Sequence, residues 1–92
     1  MSMISFKIGE KEIHNITLEI SRGFGTYKIS VNGNIIKKGF VGIIGTKEHS
    51  FDVGQKEKHN IKINVYKPLL AGIVRYESKV FVDNKHYETY KL

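Results

Sequence analysis

The stretch that decides the fold is His14–Ile20 (HNITLEI), which returns as His59–Val65 (HNIKINV), 45 residues further along the chain. In each copy apolar and polar residues alternate, which is typical of a β-strand with one buried face. A second alternating segment follows each copy and ends in a turn: Tyr27–Val31 before Asn32-Gly33, and Ser78–Val82 before Asp83-Asn84. The sequence therefore predicts a β-hairpin unit that occurs twice.

Further strands are predicted around the two hairpins, and no segment has helical periodicity. They are expected at residues 3–9, 34–39, 49–53 and 85–91, and the second return strand at 73–82. Gly39–Gly45 is apolar and rich in glycine, which indicates a bent strand or a crossover. About eight short strands favour an all-β fold, an antiparallel β-sandwich or a small barrel. We expect a sandwich that forms one domain over residues 1–92.

The alternation also predicts which side chains form the core, and Asn32-Gly33 predicts a tight turn. A type I′ turn needs positive φ at both central residues, and Asn-Gly is the usual pair. The predicted inward residues are Ile4, Phe6, Ile8, Ile16, Leu18, Ile20, Tyr27, Ile29, Val31, Phe51, Val53, Ile61, Ile63, Val65, Val74, Tyr76, Val80 and Val82.

Composition excludes several function classes. The 92 residues include no cysteine, which removes disulfides, thiol catalysis and thiolate metal sites. No apolar run approaches the length of a membrane span, and the first residues do not resemble a signal peptide, so we expect a soluble cytoplasmic protein without a cofactor. The net charge is +6, with the lysines scattered singly apart from Lys37-Lys38. Such scatter favours solubility and protection of sheet edges over a nucleic-acid groove.

Three groups of residues resemble sites of chemistry. His14 and His59 hold equivalent repeat positions, but no further ligands stand at metal-binding spacing, and a hydrogen bond at the start of each strand is the simpler role. His49, Ser50 and Asp52 have the letters of a triad, yet neighbouring side chains in a strand point to opposite faces. The glycines of Gly39–Gly45 do not precede a helix, as a phosphate-binding loop requires. The sequence therefore predicts neither a metal site nor an enzyme.

The interaction surface predicted from the sequence lies on the second hairpin. Pro68–Ala71 is an apolar insertion in the repeat, and Tyr66 and Phe81 are expected on the face away from the core. Together with Leu69 and Leu70 they are predicted to form an apolar patch for a protein partner or for self-association. The alternative is that the insertion folds back and closes the open end of the sandwich.

The order of these segments resembles the N-terminal domain of the Fas apoptotic inhibitory molecule family. The similar segments are Ile13–Glu19, Lys28–Asn34, Gly45–Gly54, Ile61–Val65 and Tyr76–Lys85, within about residues 12–91. The chain departs from the family in having no tryptophan and in the insertion at Pro68–Ala71. The resemblance implies two antiparallel sheets packed face to face and a non-enzymatic, protein-binding role.

Two functions follow as hypotheses. The first is a non-catalytic protein-interaction module with an unknown partner. The alternative is a small β-domain that binds single-stranded nucleic acid by stacking bases on aromatic side chains beside lysines. Its candidate residues are Phe24, Tyr66, Phe81, Tyr90, Lys28, Lys62 and Lys79.

Overall fold

The computed structural model describes residues 2–21, 25–40, 45–67 and 76–91, and it is all-β over these ranges. The strands are β1 (Ser2–Ile8), β2 (His14–Ser21), β3 (Thr26–Val31), β4 (Asn34–Phe40), β5 (Gly45–Val53), β6 (His59–Lys67), β7 (Glu77–Val82) and β8 (Lys85–Lys91). They form two antiparallel sheets, β1-β2-β3-β4 (sheet I) and β5-β6-β7-β8 (sheet II). The predicted β-sandwich of about eight strands is confirmed.

The duplication extends to a whole sheet, because each half of the chain forms one four-stranded meander. Leu18 pairs with Ile29 in sheet I, and their counterparts Ile63 and Val80 pair in sheet II. The irregularities are duplicated as well: the register shifts after Ile29 in one sheet and after Val80 in the other.

The turns that join the last two strands of each sheet also correspond. Asn32 and Gly33 have φ of 52° and 85°, so both central residues of the predicted type I′ turn have the positive φ that it requires. Asp83 and Asn84 have φ of 52° and 66° at the equivalent positions. Asn and Asp tolerate this conformation better than other side chains do. Two different residue pairs therefore make the same turn.

The core lies between the sheets and follows the predicted alternation. Its buried members are Phe6, Ile8, Ile16, Leu18, Ile20, Tyr27, Ile29, Val53, Ile61, Ile63, Val65, Tyr76 and Val80. Ile4, Val31, Phe51 and Val82 are partly buried against them, and Val74 lies outside the described residues.

Two strands begin more than one residue away from their predicted starts. Strand β5 begins at Gly45 rather than near His49. Its first residues, Thr46-Lys47-Glu48, are exposed, so they lack the apolar alternation that reveals a half-buried strand. Strand β7 begins at Glu77, and residues 73–75 of the predicted longer strand lie outside the described part of the chain.

The two open sides of the sandwich are closed differently. On one side the Phe6 ring of β1 packs against Tyr87 and Tyr90 of β8, with centroid separations of 5.6 and 6.0 Å. On the other side β4 faces β5, where Ile36 and Gly39 stand in the positions of the two tyrosines. Tyr27 lies over Gly39, so closely that a Cβ there would meet its hydroxyl at 2.2 Å, and the Tyr27 hydroxyl bonds His49 of β5. Strand β4 therefore supplies no ring at the two positions where β8 supplies tyrosines.

Candidate functional site

The densest set of polar contacts lies at one end of the sandwich, where the loops Gly9–Glu12 and Gly54–Glu57 meet. The Glu57 carboxylate accepts hydrogen bonds from the backbone N–H groups of Glu10 at 2.9 Å, Lys11 at 2.7 Å and Glu12 at 3.2 Å. These donors belong to the other half of the chain. The side chain of one loop therefore satisfies the backbone of the other.

The contact is reciprocal, as the duplication requires. The Glu12 carboxylate accepts a hydrogen bond of 2.8 Å from the backbone N–H of Gln55, which is the counterpart of Glu10. Each loop needs a glycine at its start: Gly9 and Gly54 have φ of 111° and 96°. A Cβ at either position would lie 2.0 Å from the carbonyl oxygen that ends the same loop.

Each loop carboxylate also contacts the histidine that opens the next strand. His14 Nε2 lies 3.2 Å from Glu12, and its Nδ1 lies 3.0 Å from the Asn32 side-chain nitrogen. Because an amide nitrogen only donates, the His14 Nδ1 accepts and its Nε2 donates to Glu12. The structure thus gives His14 a hydrogen-bonding role near the start of its strand.

His59 holds the same position between two carboxylates. Its Nε2 lies 2.6 Å from Glu57 and its Nδ1 lies 2.7 Å from Asp83. Both ring nitrogens donate in this arrangement, which only the protonated imidazole allows. Asp83, at the position equivalent to Asn32, therefore gives His59 a second carboxylate partner where His14 has an amide.

The pKa values follow from these contacts. The hydrogen bond from His59, followed by those from the backbone N–H groups of Glu10 and Lys11, lowers the pKa of Glu57 to about 2. The pKa of His59 is raised by the hydrogen bonds that its ring makes, first with Glu57 and then with Asp83. The pKa of Asp83 is lowered, chiefly by the hydrogen bond from His59. The pKa of Glu12 is lowered by its hydrogen bonds with His14 and with the backbone of Gln55.

Glu12, His14, Glu57 and His59 form a network, the Glu–His network, that joins the two halves of the chain. Its polar atoms already bond to one another and to backbone. Among the described residues no group of three or more His, Asp or Glu side chains is arranged to hold a metal ion. The role of the two glutamates was not predicted from the sequence. The signal was present, since Gly9–Ile16 (GEKEIHNI) and Gly54–Ile61 (GQKEKHNI) extend the repeat upstream of the histidines.

We expect the network to give the stability a defined dependence on pH. The pKa of Glu57 falls from 4.5 to about 2 on folding, so its contribution is present above pH 4.5 and is lost as the pH falls toward 2. The raised pKa of His59 has the opposite sign: its contribution is present below pH 6.5 and is lost as the pH rises through the raised value. Glu57→Gln should therefore flatten the acid side of the curve of urea midpoint against pH.

The matched control for Glu57→Gln is Glu48→Gln, which removes the same charge from the outer face of β5. Circular dichroism at each urea concentration follows unfolding, and the control curve should run parallel to that of the wild-type protein. An equally steep acid limb in the Glu57→Gln variant would contradict the assigned role.

The other residues considered for chemistry do not converge. His49 pairs with the buried Ile63 and contacts Tyr27, whereas Ser50 pairs with Lys62 on the outer face. Burial lowers the pKa of His49, with a further contribution from the charges of Lys37 and Lys47. Ser50 and Asp52 both accept hydrogen bonds from the Asn60 amide, at 3.1 and 3.0 Å. Gly39 belongs to β4 and lies beneath the Tyr27 ring. Residues 41–44 of the glycine-rich segment lie outside the described part of the chain.

The surface predicted on the second hairpin is described only in part. Tyr66 is 43% exposed on the outer face of sheet II, opposite Glu77, and lines a shallow groove of about 300 Å³. Phe81 is half-buried, opposite Lys62, with its ring edge-on to His86 at 5.7 Å. The polar pair Asn64 and Lys79 lies between them. Leu69 and Leu70 lie outside the described residues, so the patch stays a prediction.

The residues considered for nucleic-acid binding are distributed over different surfaces. Tyr90 packs on Phe6, and burial raises its pKa. Lys28 lies on sheet I, whereas Lys62 and Lys79 lie on sheet II. Phe24 is outside the described part of the chain. Tyr66, Phe81, Lys62 and Lys79 therefore share the outer face of sheet II, whereas Lys28 and Tyr90 lie elsewhere.

Strand β4 carries an exposed apolar surface that the sequence analysis did not single out. Ile35 is 50% exposed, Ile36 39% and Phe40 59%, on a strand that pairs only with β3 among the described strands. Ile35 lies opposite Ser30 and Phe40 opposite Thr26, on the outer face of sheet I. Ile36 has no partner on β3 at the register shift after Ile29, and it lines a groove between the sheets.

A groove of about 530 Å³ lies at the Asn34 end of β4, between the two sheets and beside the loop residues Glu12 and Gln55. Val31, Ile36 and Phe51 form its apolar wall, and Asn34 and Asp52 lie at its polar rim. Phe51 is the counterpart of Phe6, and Ile36 is the counterpart of Tyr87. The groove therefore lies where the smaller Ile36 replaces a ring that packs on phenylalanine at the opposite side.

Comparison with known proteins found no family model, no curated protein and no solved structure that matches the chain. In the described ranges no helix has the length and hydropathy needed to cross a membrane.

Proposed function

We propose that the chain is a non-catalytic protein-interaction domain of the cytoplasm whose contact surface is strand β4. The observation that carries the proposal is the exposure of Ile35, Ile36 and Phe40 on a strand with one unpaired edge among the described strands. Unpaired strand edges with apolar side chains attract other chains. A protein that has no partner for such an edge usually covers it or places charged side chains along its whole length.

Three further points support this proposal. The histidines and the carboxylates at the end of the sandwich bond to one another and to backbone, so they serve the fold. Of the described candidates for nucleic-acid binding, Lys28 and Tyr90 lie away from the outer face of sheet II that carries Tyr66, Phe81, Lys62 and Lys79. The resemblance to the Fas apoptotic inhibitory molecule domains implies a protein-binding role as well.

The test measures which proteins the chain retains from extracts of the native host. It compares a variant of the β4 surface with a variant of the second hairpin. Ile35→Ser combined with Phe40→Ser alters the β4 surface, and Tyr66→Ser alters the second hairpin. We expect a specific partner that the β4 variant loses and the Tyr66 variant retains, with both variants folded by circular dichroism. Loss by the Tyr66 variant alone would move the contact surface to the second hairpin. No specifically retained protein would overturn the proposed function.

A further inference from the structure

The charge of β4 differs from that of its counterpart in the other sheet. The central residues of β4 are Lys37 and Lys38, whereas β8 has Glu88 and Thr89 at the equivalent positions. Lys38 lies directly opposite Lys28 of β3, and like charges placed opposite each other are unfavourable within a sheet. The ion pairs between described residues involve none of these three lysines. Glu19 of β2 lies opposite Lys28 on the same face, so the row runs Glu19, Lys28, Lys38 and ends in two positive charges at the edge of sheet I.

From this geometry we infer that an extended, acidic segment of a partner protein adds to β4 as a fifth strand of sheet I. This inference rests on the proposed function and names the kind of partner. The added strand would present carboxylates on the outer face, beside Lys38, where opposite charges on neighbouring strands attract. Its alternate side chains would be apolar at the Asn34 end of β4, because there they face the groove lined by Val31, Ile36 and Phe51.

A second copy of this chain fits the same edge poorly. Antiparallel pairing of two β4 strands brings Lys37 and Lys38 of both copies together at the centre of the pair. Like charges oppose such pairing, as lysines on sheet edges commonly do. An acidic strand reverses the sign of this interaction.

The test is the fluorescence anisotropy of a labelled peptide of alternating valine and glutamate. Strand addition on one edge uses the backbone N–H of every second peptide residue. Of two further peptides, one methylated on the valine nitrogens and one on the glutamate nitrogens, we expect one to bind like the parent and the other to lose binding. If both bind like the parent, or if both lose binding, single-edge strand addition is overturned.

Charge variants complete the experiment at low salt. Lys38→Glu should weaken binding about tenfold, because it replaces an attraction by a repulsion. Lys79→Glu makes the same charge change on the outer face of sheet II and should leave the affinity unchanged within about twofold. Equal weakening by both variants would show a general charge effect and overturn the inference. So would equal binding of a peptide of alternating valine and lysine, or displacement of the acidic peptide by oligothymidine.

The outcome separates this inference from the function on which it rests. If the acidic peptide does not bind, but a host protein is retained through β4, the interaction function stands and the extended acidic partner is withdrawn. If no protein and no peptide binds, both fall.

Discussion

Leu18→Ala is expected to destabilise the protein by about 2–5 kcal/mol, and Ile63→Ala by a similar amount. Both side chains are fully buried in the core. They hold equivalent places, since Leu18 pairs with Ile29 and Ile63 pairs with Val80. Removing three carbons from either side chain leaves a cavity that two packed sheets fill only in part. Each variant should therefore lose a large share of the stability of a small domain.

Urea unfolding at fixed pH measures the loss of unfolding free energy in each variant. In a thermal melt, the melting temperature should fall by about 4–8 °C for each kcal/mol lost. Ile13→Ala is the control, because Ile13 is 59% exposed and its truncation should change the stability by less than about 0.5 kcal/mol. A loss of less than about 1 kcal/mol for Leu18→Ala or Ile63→Ala would contradict the burial of that side chain.

Gly54→Ala is expected to cost more than about 2 kcal/mol. Its φ of 96° strains any residue with a Cβ, at about 1–3 kcal/mol. The Cβ would also lie 2.0 Å from the Glu57 carbonyl oxygen, so the loop must open. An opened loop moves the Glu57 carboxylate away from the N–H groups of Glu10 and Lys11.

Gly33→Ala separates the two causes. Gly33 has a φ of 85°, but nothing lies within 4 Å of its Cβ position, so this variant meets the backbone strain alone. We expect Gly54→Ala to exceed Gly33→Ala by at least about 1 kcal/mol in urea unfolding. Equal losses would show that the close approach to Glu57 has no energetic consequence.

The sheets could be predicted from the sequence because their signals are local. Alternation along one strand identified the buried residues of β2, β3, β6 and β7, and the two turns fixed where strands reverse. Strand β5 was predicted too short, since Lys47 pairs with the buried Val65 and so breaks the apolar pattern at the exposed sheet edge.

The Glu–His network could not be predicted by the same reasoning. It depends on how closely two loops from different sheets approach, and alternation within one strand carries no such information. The upstream repeat of glycine and glutamate was the available signal. The position of Ile36 depends on a register shift, which the apolar sequence Ile35-Ile36 does not reveal.

The most direct test of the proposed interaction surface is amide hydrogen exchange, resolved by residue, with and without the retained partner. Binding along an edge strand protects the backbone N–H groups that it pairs. The account predicts slower exchange within Asn34–Phe40 on binding, while Lys85–Lys91 of the equivalent strand in sheet II is unchanged. Slower exchange around Tyr66 and Phe81, with Asn34–Phe40 unaffected, would contradict it.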